Sequence, residues 1–333
     1  MKIAVIGAGA IGSLIAAHLK NKDEDIVLVG RPLQTIPNTK NIIKVSGVKG
    51  NFQVNVPLLN RLSFSPDYVI LATRTQDLKS AIKENLEFLI NTTVVTTQIG
   101  LQADEIVCRY FQKDKIISSI IMFGATYLEQ NKVVQNLEGA WVIGDIFENK
   151  ISEEMLDLSM ILNKAFQTVI SQDIKGMKYL QVFVNANNCI PAVLGISMQE
   201  AFKDLSISKI SVAVWKEGFE IISRMGIKLA SLPGFPVENL NKFAVLPADE
   251  AAKEFSRAML SISNDPLYGT ILQSIKRGRP SEIDYINGEF LRLAKANGLS
   301  ARLNEKLIEL VQEVEKTKKF FTKEEFLSAV SSF

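Results

Sequence analysis

The chain opens with Met1-Lys-Ile-Ala-Val-Ile-Gly-Ala-Gly-Ala-Ile-Gly12, and this stretch decides the fold of its first half. Residues 3–6 form a short apolar run that predicts a buried parallel strand, and the pattern after Gly12 predicts a helix. Gly7 permits a tight turn, Gly9 lets a pyrophosphate approach the backbone, and Gly12 lets the helix pack close to the strand. Placed between a strand and a helix, these glycines predict a dinucleotide site; the alternative is a purely structural turn. The loop residues assigned to cofactor binding are Gly7, Gly9, Ala10, Ile11 and Gly12.

The end of the next predicted strand indicates which dinucleotide is bound. Residues 25–30 predict a strand beside the first one, and an NAD site usually ends this strand with an Asp or Glu that accepts from the ribose 2′-OH. Here Gly30 ends the strand and Arg31 follows it. Because a guanidinium binds phosphate through bidentate, charge-assisted bonds, Arg31 favours NADP(H). The alternative is a solvated loop arginine.

Composition predicts a cytoplasmic enzyme of two domains. The 333 residues are 47% hydrophobic and 22% charged, which is ordinary for globular proteins. A net charge of +2 gives no reason to expect nucleic acid or an anionic membrane as a partner, and no apolar stretch reaches membrane-spanning length. Because the first strand begins at residue 3, we expect no signal peptide. Cys108 and Cys189 are expected to be buried free thiols, and a single histidine, His18, argues against a zinc site.

Strand and helix patterns alternate through the first half of the chain. Residues 132–135 and 140–143 predict an antiparallel pair joined by residues 136–139. The pattern as a whole predicts an α/β Rossmann-type doubly wound sheet that ends near residue 172. The other predicted strands cover residues 54–57, 68–73, 93–97, 116–123 and 168–171, and the predicted helices cover residues 76–90 and 152–166.

From residue 173 onward the periodicity is helical and strand patterns fade. We therefore predict an NADP-binding Rossmann domain over residues 1–172 and an all-α substrate-binding domain over residues 173–333, with the active cleft between them. An exposed helical face such as that of residues 208–225 is compatible with a homodimer. The predicted helical segments are residues 178–195, 208–225, 238–261, 280–297 and 304–318.

A polar stripe marks the first helix of the second half. Lys178, Gln181, Asn185 and Asn188 are spaced by three, four and three residues, which places them on one face of a helix. The remainder of this segment is apolar, so its buried amides need partners. One interpretation is a stripe that lines the cleft over the nicotinamide. The other is a hydrogen-bond ladder inside the protein.

A second segment, residues 265–288, places a carboxylate at the start of a helix. Gly278-Arg-Pro280 ends one helix and opens the next, and Glu282 lies in the first turn, where the helix dipole favours an ionised carboxylate. The same residues would also suit simple helix capping.

Taken together, these motifs resemble the ketopantoate reductase (2-dehydropantoate 2-reductase) family over nearly the whole chain. The resemblance implies a Rossmann domain followed by an all-helical domain, and NADPH-dependent reduction of a 2-oxo acid to a 2-hydroxy acid. The motifs that carry it are the loop Gly7–Gly12, Arg31, Phe123-Gly-Ala-Thr126, the helix with Asn185, and Gly278-Arg-Pro-Ser-Glu-Ile-Asp-Tyr-Ile-Asn-Gly288.

The resemblance also implies roles for individual residues. Family members use a lysine and an asparagine one turn apart, and Asn185 matches the asparagine. Glu282 would hold the substrate hydroxyl or the lysine, Thr270 would touch the substrate carboxylate, and Arg74 would meet the cofactor phosphate or ribose. The matching positions also assign Asn188 to the substrate, and Gln98, Ile99 and Ala125 to the cofactor.

Two positions depart from the family pattern. Gln181 stands where the lysine is expected, and Ile99 stands where an asparagine would face the nicotinamide and substrate. An amide can donate a hydrogen bond to a carbonyl oxygen but cannot act as an acid at neutral pH. Lys178 lies one turn earlier, about 4.5 Å along the helix axis. We therefore hypothesise that Lys178 replaces the missing lysine, beside Gln181 and Glu282 as the other candidate catalytic residues.

Three functions remain open at this point. The first is reduction of ketopantoate or a related branched 2-oxo acid with NADPH. The second is reduction of another, more apolar carbonyl compound, which Ile99 would favour. The third is NADP(H) binding without catalysis. Retention of Glu282, Asn185 and Thr270 argues against the third.

Overall fold

The computed structural model describes residues 1–31, 41–263 and 266–333. It divides into two compact units, Met1–Lys175 and Gly176–Phe333. Asp265, with which the predicted segment 265–288 begins, lies outside the described residues.

The first unit is an α/β domain. Its strands are β1 Lys2–Ile6, β2 Asp25–Val29, β3 Ile42–Gly47, β4 Phe52–Asn55, β5 Leu58–Leu59, β6 Tyr68–Leu71, β7 Thr93–Thr96, β8 Ile116–Ile121, β9 Gly124–Glu129, β10 Lys132–Leu137, β11 Trp141–Gly144 and β12 Thr168–Ile170. Its helices are α1 Ala10–Lys20, α2 Leu78–Leu89, α3 Gln102–Val107 and α4 Glu153–Asn163.

The main sheet confirms the Rossmann-type prediction. In the described part of the unit its strand order is β12-β11-β8-β7-β6-β1-β2-β5. Strands β5, β2, β1, β6, β7 and β8 are parallel, whereas β11 is antiparallel to β8. The chain runs outward from β1 to β2 and then returns to place β6 on the other side of β1. This reversal is a topological switch point, where open α/β sheets bind ligands beyond the carboxyl ends of the strands.

A smaller sheet covers the first helix, and it corrects one prediction. Its order is β4-β3-β10-β9, with β10 antiparallel to β9 and parallel to β3. The predicted pairing of residues 132–135 with residues 140–143 is therefore wrong, because β11 belongs to the main sheet and pairs with β8. The predicted strand at residues 54–57 is also shifted to Phe52–Asn55. Local alternation identifies a strand but not its partner.

His18 is buried between the first helix and the smaller sheet. Its Nε2 lies 2.9 Å from Oε1 of Gln135, and its ring meets Phe52 and Phe166 edge-on at 5.0 and 5.2 Å. Burial lowers the pKa of His18 to about 4, although the hydrogen bond to Gln135 acts to raise this pKa. The single histidine is thus a neutral core residue.

Acid should destabilise the protein through His18. The unfolded chain binds a proton at this side chain below pH 6.5, whereas the folded chain keeps it neutral down to a pKa of about 4. The free energy of unfolding that neutral His18 contributes above pH 6.5 is therefore lost as the pH falls toward 4, by about 3 kcal/mol in total. Denaturant unfolding of the parent and of His18→Gln across this range should give a steeper loss for the parent. Parallel pH curves would contradict the assignment.

The second unit consists of helices, apart from an isolated bridge between Leu232 and Phe235, in the part that the structure describes. The helices are α5 Ile174–Ala186, α6 Cys189–Leu194, α7 Met198–Phe202, α8 Leu205–Arg224, α9 Val237–Val245, α10 Ala248–Ser261, α11 Thr270–Lys276, α12 Ile283–Ala296, α13 Arg302–Thr317 and α14 Lys323–Ala329; α5 starts at the end of the first unit. This confirms the all-α prediction.

Two predicted helices are each divided in two. The predicted helix over residues 238–261 breaks before Pro247, which precedes α10 and cannot continue the hydrogen-bond ladder of α9. The predicted helix over residues 178–195 breaks at residues 187–188, between α5 and α6. Among the described residues, no helix combines the length and the apolar character that crossing a membrane requires. Both cysteines are free thiols, and Cys108 is only half-buried, unlike Cys189.

Candidate functional site

The glycine loop of the first unit lies at the switch point of the main sheet. It joins the carboxyl end of β1 to the start of α1, and Gly9 is the N-cap of that helix. No side chain caps the helix, and its first turn carries no acidic residue. The first N–H groups of an α-helix have no partner within the helix, so this end attracts an anion.

Each glycine position of the loop favours glycine for its own geometric reason. A Cβ on Gly7 would lie 2.6 Å from the carbonyl atoms of Ala72, and Gly7 has a φ of +121°. A Cβ on Gly12 would lie 2.0 Å from the carbonyl oxygen of Gly7. A Cβ on Gly9 would meet no atom within 4 Å. Gly7 and Gly12 therefore allow close packing of backbone, whereas Gly9 faces open space at the helix N-terminus, which fits the pyrophosphate of a dinucleotide.

Arg31 follows the end of β2 and forms an ion pair with Asp77. Its Nη2 lies 3.0 Å from Oδ2 of Asp77, which ends the short 3-10 turn Thr75–Asp77 after β6. Arg74 is half-buried and directly precedes this turn. The structure thus brings both predicted phosphate-binding arginines to the carboxyl edge of the sheet. No sequence pattern indicates that a carboxylate from another loop pairs with Arg31.

Three other predicted cofactor residues have defined positions in the first unit. Gln98 is buried, and its Nε2 donates to the carbonyl oxygens of Leu71 and Thr73 at 2.8 and 2.7 Å. It fixes the loop that follows β6. Ile99 is half-buried beside it, and Ala125 lies in β9 of the smaller sheet, opposite Gln135. Thr73, which the sequence analysis missed, has a buried Oγ1 with no hydrogen-bond partner among the described residues.

In the second unit, the predicted polar stripe forms a hydrogen-bond ladder, which is one of the two interpretations of the sequence. Asn188 Nδ2 donates to Asn185 Oδ1 at 3.1 Å, and Asn185 Nδ2 donates to the carbonyl oxygen of Gln181 at 2.9 Å. These bonds form a ladder along α5 and across its end. Gln181 is only 5% exposed, yet its Oε1 has no hydrogen-bond partner within the described ranges. Lys178 is completely buried on the same face.

The end of α5 is held by a buried asparagine of α12. Ile190 N–H donates to Asn187 rather than continuing the ladder, and Asn287 Nδ2 donates to the carbonyl oxygen of Ala186 at 3.0 Å. Asn287 Nδ2 also donates to Asn304 Oδ1 at 2.9 Å, and Asn304 Nδ2 donates to Glu217 at 2.7 Å. This series of hydrogen bonds connects α12 to the C-terminal end of α5.

Replacing Asn287 with leucine should lower the free energy of unfolding by about 2–4 kcal/mol, because Asn304 and Ala186 lose a buried donor. Chemical denaturation of parent and variant measures this loss. Asn297→Leu at the C-cap of the same helix is the matched control, since the side chain of Asn297 donates to the carbonyl oxygen of Leu293 within that helix. Equal effects of the two substitutions would contradict the role assigned to Asn287.

Glu282 and Thr270 begin two neighbouring segments of the second unit. Glu282 is the half-buried N-cap of α12, and its side chain makes no capping bond to that helix. Thr270 is exposed at the start of α11, directly after Gly269. A Cβ on Gly269 would lie 3.1 Å from the side chain of Asn188. Thr270 and Asn188 are therefore brought close together, as a shared substrate site requires.

Comparison with protein families adds independent findings. The profile of the family "Ketopantoate reductase PanE/ApbA" matches residues 3–148, and that of "Ketopantoate reductase PanE/ApbA C terminal" matches residues 173–315. The 2-dehydropantoate 2-reductase of Pyrococcus horikoshii is 29% identical over 319 residues, which cover 95% of this chain and 98% of that protein.

Solved structures of similar fold cover the chain from end to end. A PanE/ApbA family ketopantoate reductase from Ralstonia eutropha superimposes with a TM-score of 0.78 at 20% identity, covering 96% of this chain and 99% of the other. A D-mandelate dehydrogenase, solved with NADH and anilino(oxo)acetate, also gives a TM-score of 0.78 at 20% identity, over 95% and 99% of the two chains. At these identities the likeness establishes the fold.

Proposed function

Because the chain belongs to the ketopantoate reductase family, we propose that it reduces a 2-oxo acid to the 2-hydroxy acid with NADPH, and that 2-dehydropantoate is the substrate. The observation that carries the proposal is the uncapped glycine loop at the switch point of the main sheet. The relative from Pyrococcus horikoshii, a 2-dehydropantoate 2-reductase, supports the substrate. The NADH complex of the D-mandelate dehydrogenase supports a nicotinamide cofactor.

The first unit would hold the cofactor. Gly9 leaves space at the start of α1 for the pyrophosphate, Gly7 and Gly12 allow the close backbone packing around it, and Ala10 and Ile11 lie in the first turn of α1. Arg31 and Arg74 would bind the phosphate and ribose of the adenosine end. Gln98 would act by holding the loop after β6, beside Ile99. When bound, a reduced nicotinamide supplies a hydride.

The second unit would hold the 2-oxo acid and manage the charge that forms. Hydride addition to C2 turns the carbonyl oxygen into an alkoxide, which needs a hydrogen-bond donor and then a proton. Gln181 offers a neutral amide for the first task. Lys178, buried one turn away on the same face, would stabilise the alkoxide and give it a proton. Glu282 would orient the lysine or the product hydroxyl.

The substrate carboxylate would be bound where α11 begins. Thr270 offers an exposed hydroxyl there, and Asn188 packs against the adjoining Gly269. Asn185 is linked to Asn188 by a hydrogen bond of 3.1 Å, so that the two amides act together. Neutral donors of this kind fix the orientation of the acid.

The test is NADPH oxidation by the purified chain with 2-dehydropantoate beside a panel of branched, aromatic and unbranched 2-oxo acids. Preferential turnover of 2-dehydropantoate supports the proposal. Preferential turnover of a more apolar acid would support the second candidate, which Ile99 favours because an alkyl side chain replaces an amide. NADPH binding with no turnover of any acid would overturn the reductase proposal. Light scattering on the same sample would test the predicted homodimer.

A further inference from the structure

The side chains of the ion pair between Arg31 and Asp77 are exposed to solvent. Arg31 Nη2 lies 3.0 Å from Asp77 Oδ2, and the two side chains are 71% and 39% exposed. An ion pair this exposed contributes little to folding stability. Its position at the carboxyl edge of the sheet, rather than its strength, is therefore what distinguishes it.

The pair places a carboxylate where the end of β2 has none. In an NAD site, an acidic residue at the end of the second strand accepts from the ribose 2′-OH. Here Gly30 and Arg31 occupy that end, and Asp77 arrives from the turn after β6. Strand β6 is next to β1, and β1 is next to β2, so both loops lie at the same edge.

The two charges of this pair favour different cofactors. The adenosine ribose of NADPH carries a 2′-phosphate, which a guanidinium binds and a carboxylate repels. The same ribose of NADH carries a 2′-hydroxyl, which can donate a hydrogen bond to a carboxylate. A site with an arginine alone would strongly prefer NADPH. A site with both groups has a favourable partner for each ribose.

We propose that Asp77 is a specificity-determining residue for the nicotinamide cofactor. It holds Arg31 in place, accepts a hydrogen bond from the 2′-hydroxyl of NADH, and weakens the binding of the 2′-phosphate of NADPH. The chain then uses both cofactors, with a moderate preference for NADPH. This inference rests on the dinucleotide site of the proposed function and adds how that site discriminates.

Direct binding tests this without turnover. Dissociation constants for NADPH and NADH are measured by fluorescence titration of the full chain in the absence of substrate. The constants for the parent should lie within about tenfold of each other, and Asp77→Asn should bind NADPH about fivefold more tightly and NADH about threefold more weakly. Arg31→Ala should weaken NADPH binding by about twentyfold or more while changing NADH binding less than about twofold.

The matched control is Glu87→Gln. Glu87 pairs with Arg61 on the surface of the same unit, so this substitution makes the same change in charge outside the carboxyl edge of the sheet. Both dissociation constants should stay at the parent values. Equal shifts for the two cofactors in Asp77→Asn, or no shift, would overturn the role of Asp77 while leaving the reductase proposal intact. Failure of the parent to bind either cofactor would overturn both.

Discussion

Replacing Lys178 with methionine is expected to lower kcat for the 2-oxo acid by about a thousandfold. The methionine keeps an unbranched, apolar side chain in a fully buried position but removes the ammonium group. In the proposed site, Gln181 alone would then face the developing alkoxide, and an amide cannot supply a proton at neutral pH. Steady-state NADPH oxidation, normalised to the folded fraction measured by circular dichroism, gives the comparison.

Two further variants separate this chemical role from a structural one. Lys175→Met removes an exposed lysine from the same helix and should leave kcat unchanged. Adding Gln181→Lys to the Lys178→Met variant returns a lysine to the place where the family carries one, and should recover at least a tenfold gain in kcat. A folded Lys178→Met variant with kcat within tenfold of the parent would show that Lys178 is not the proton donor.

The sequence was most informative where a backbone constraint is local. The loop Gly7–Gly12 specified a strand, a turn and a helix because its tightest constraint is local: a Cβ on Gly12 would lie 2.0 Å from the carbonyl oxygen of Gly7. The start of α4 was equally predictable, since Ser152 accepts from the N–H of Met155 within one turn. These features need no knowledge of distant partners.

Prediction failed where the partner is remote along the chain. β10 alternates between buried and more exposed residues as any half-buried strand would, but its partners are β9 and the much earlier β3 rather than the following β11. The break after α5 depends on Asn287, which belongs to α12. No periodicity within residues 178–195 could reveal that contact. Asp77 was missed for the same reason, because its pairing with Arg31 joins two loops.

The same difference between local and remote contacts applies to the candidate site. The roles of Gln181 and Ile99 were questioned from the sequence alone, because both depart from a family pattern at named positions. The ladder from Asn188 through Asn185 to Gln181, however, depends on side-chain rotamers. Those rotamers follow from packing in the folded unit, so spacing could establish only that the residues share a face.

Gly12→Ala is expected to have a large effect on folding. Its Cβ would lie 2.0 Å from the carbonyl oxygen of Gly7, so β1 and α1 would have to separate. We expect a loss of about 3–5 kcal/mol in unfolding free energy, in the range of severe overpacking, and loss of measurable cofactor binding. Thermal and denaturant unfolding measure the first effect, and fluorescence titration with NADPH measures the second.

Gly9→Ala distinguishes binding from folding at the same loop. Its Cβ would meet no protein atom within 4 Å, so the unfolding free energy should change by less than about 1 kcal/mol. The methyl group would instead fill the space assigned to the pyrophosphate, and NADPH affinity should fall about thirtyfold or more. The control for adding a methyl group is Gly288→Ala, inside α12, where the nearest neighbours of a Cβ would lie at 3.7 and 3.8 Å. This substitution should lower neither the unfolding free energy nor the NADPH affinity. Unchanged NADPH affinity in Gly9→Ala would place the pyrophosphate elsewhere, because a ligand at this helix N-terminus cannot share the space with a Cβ.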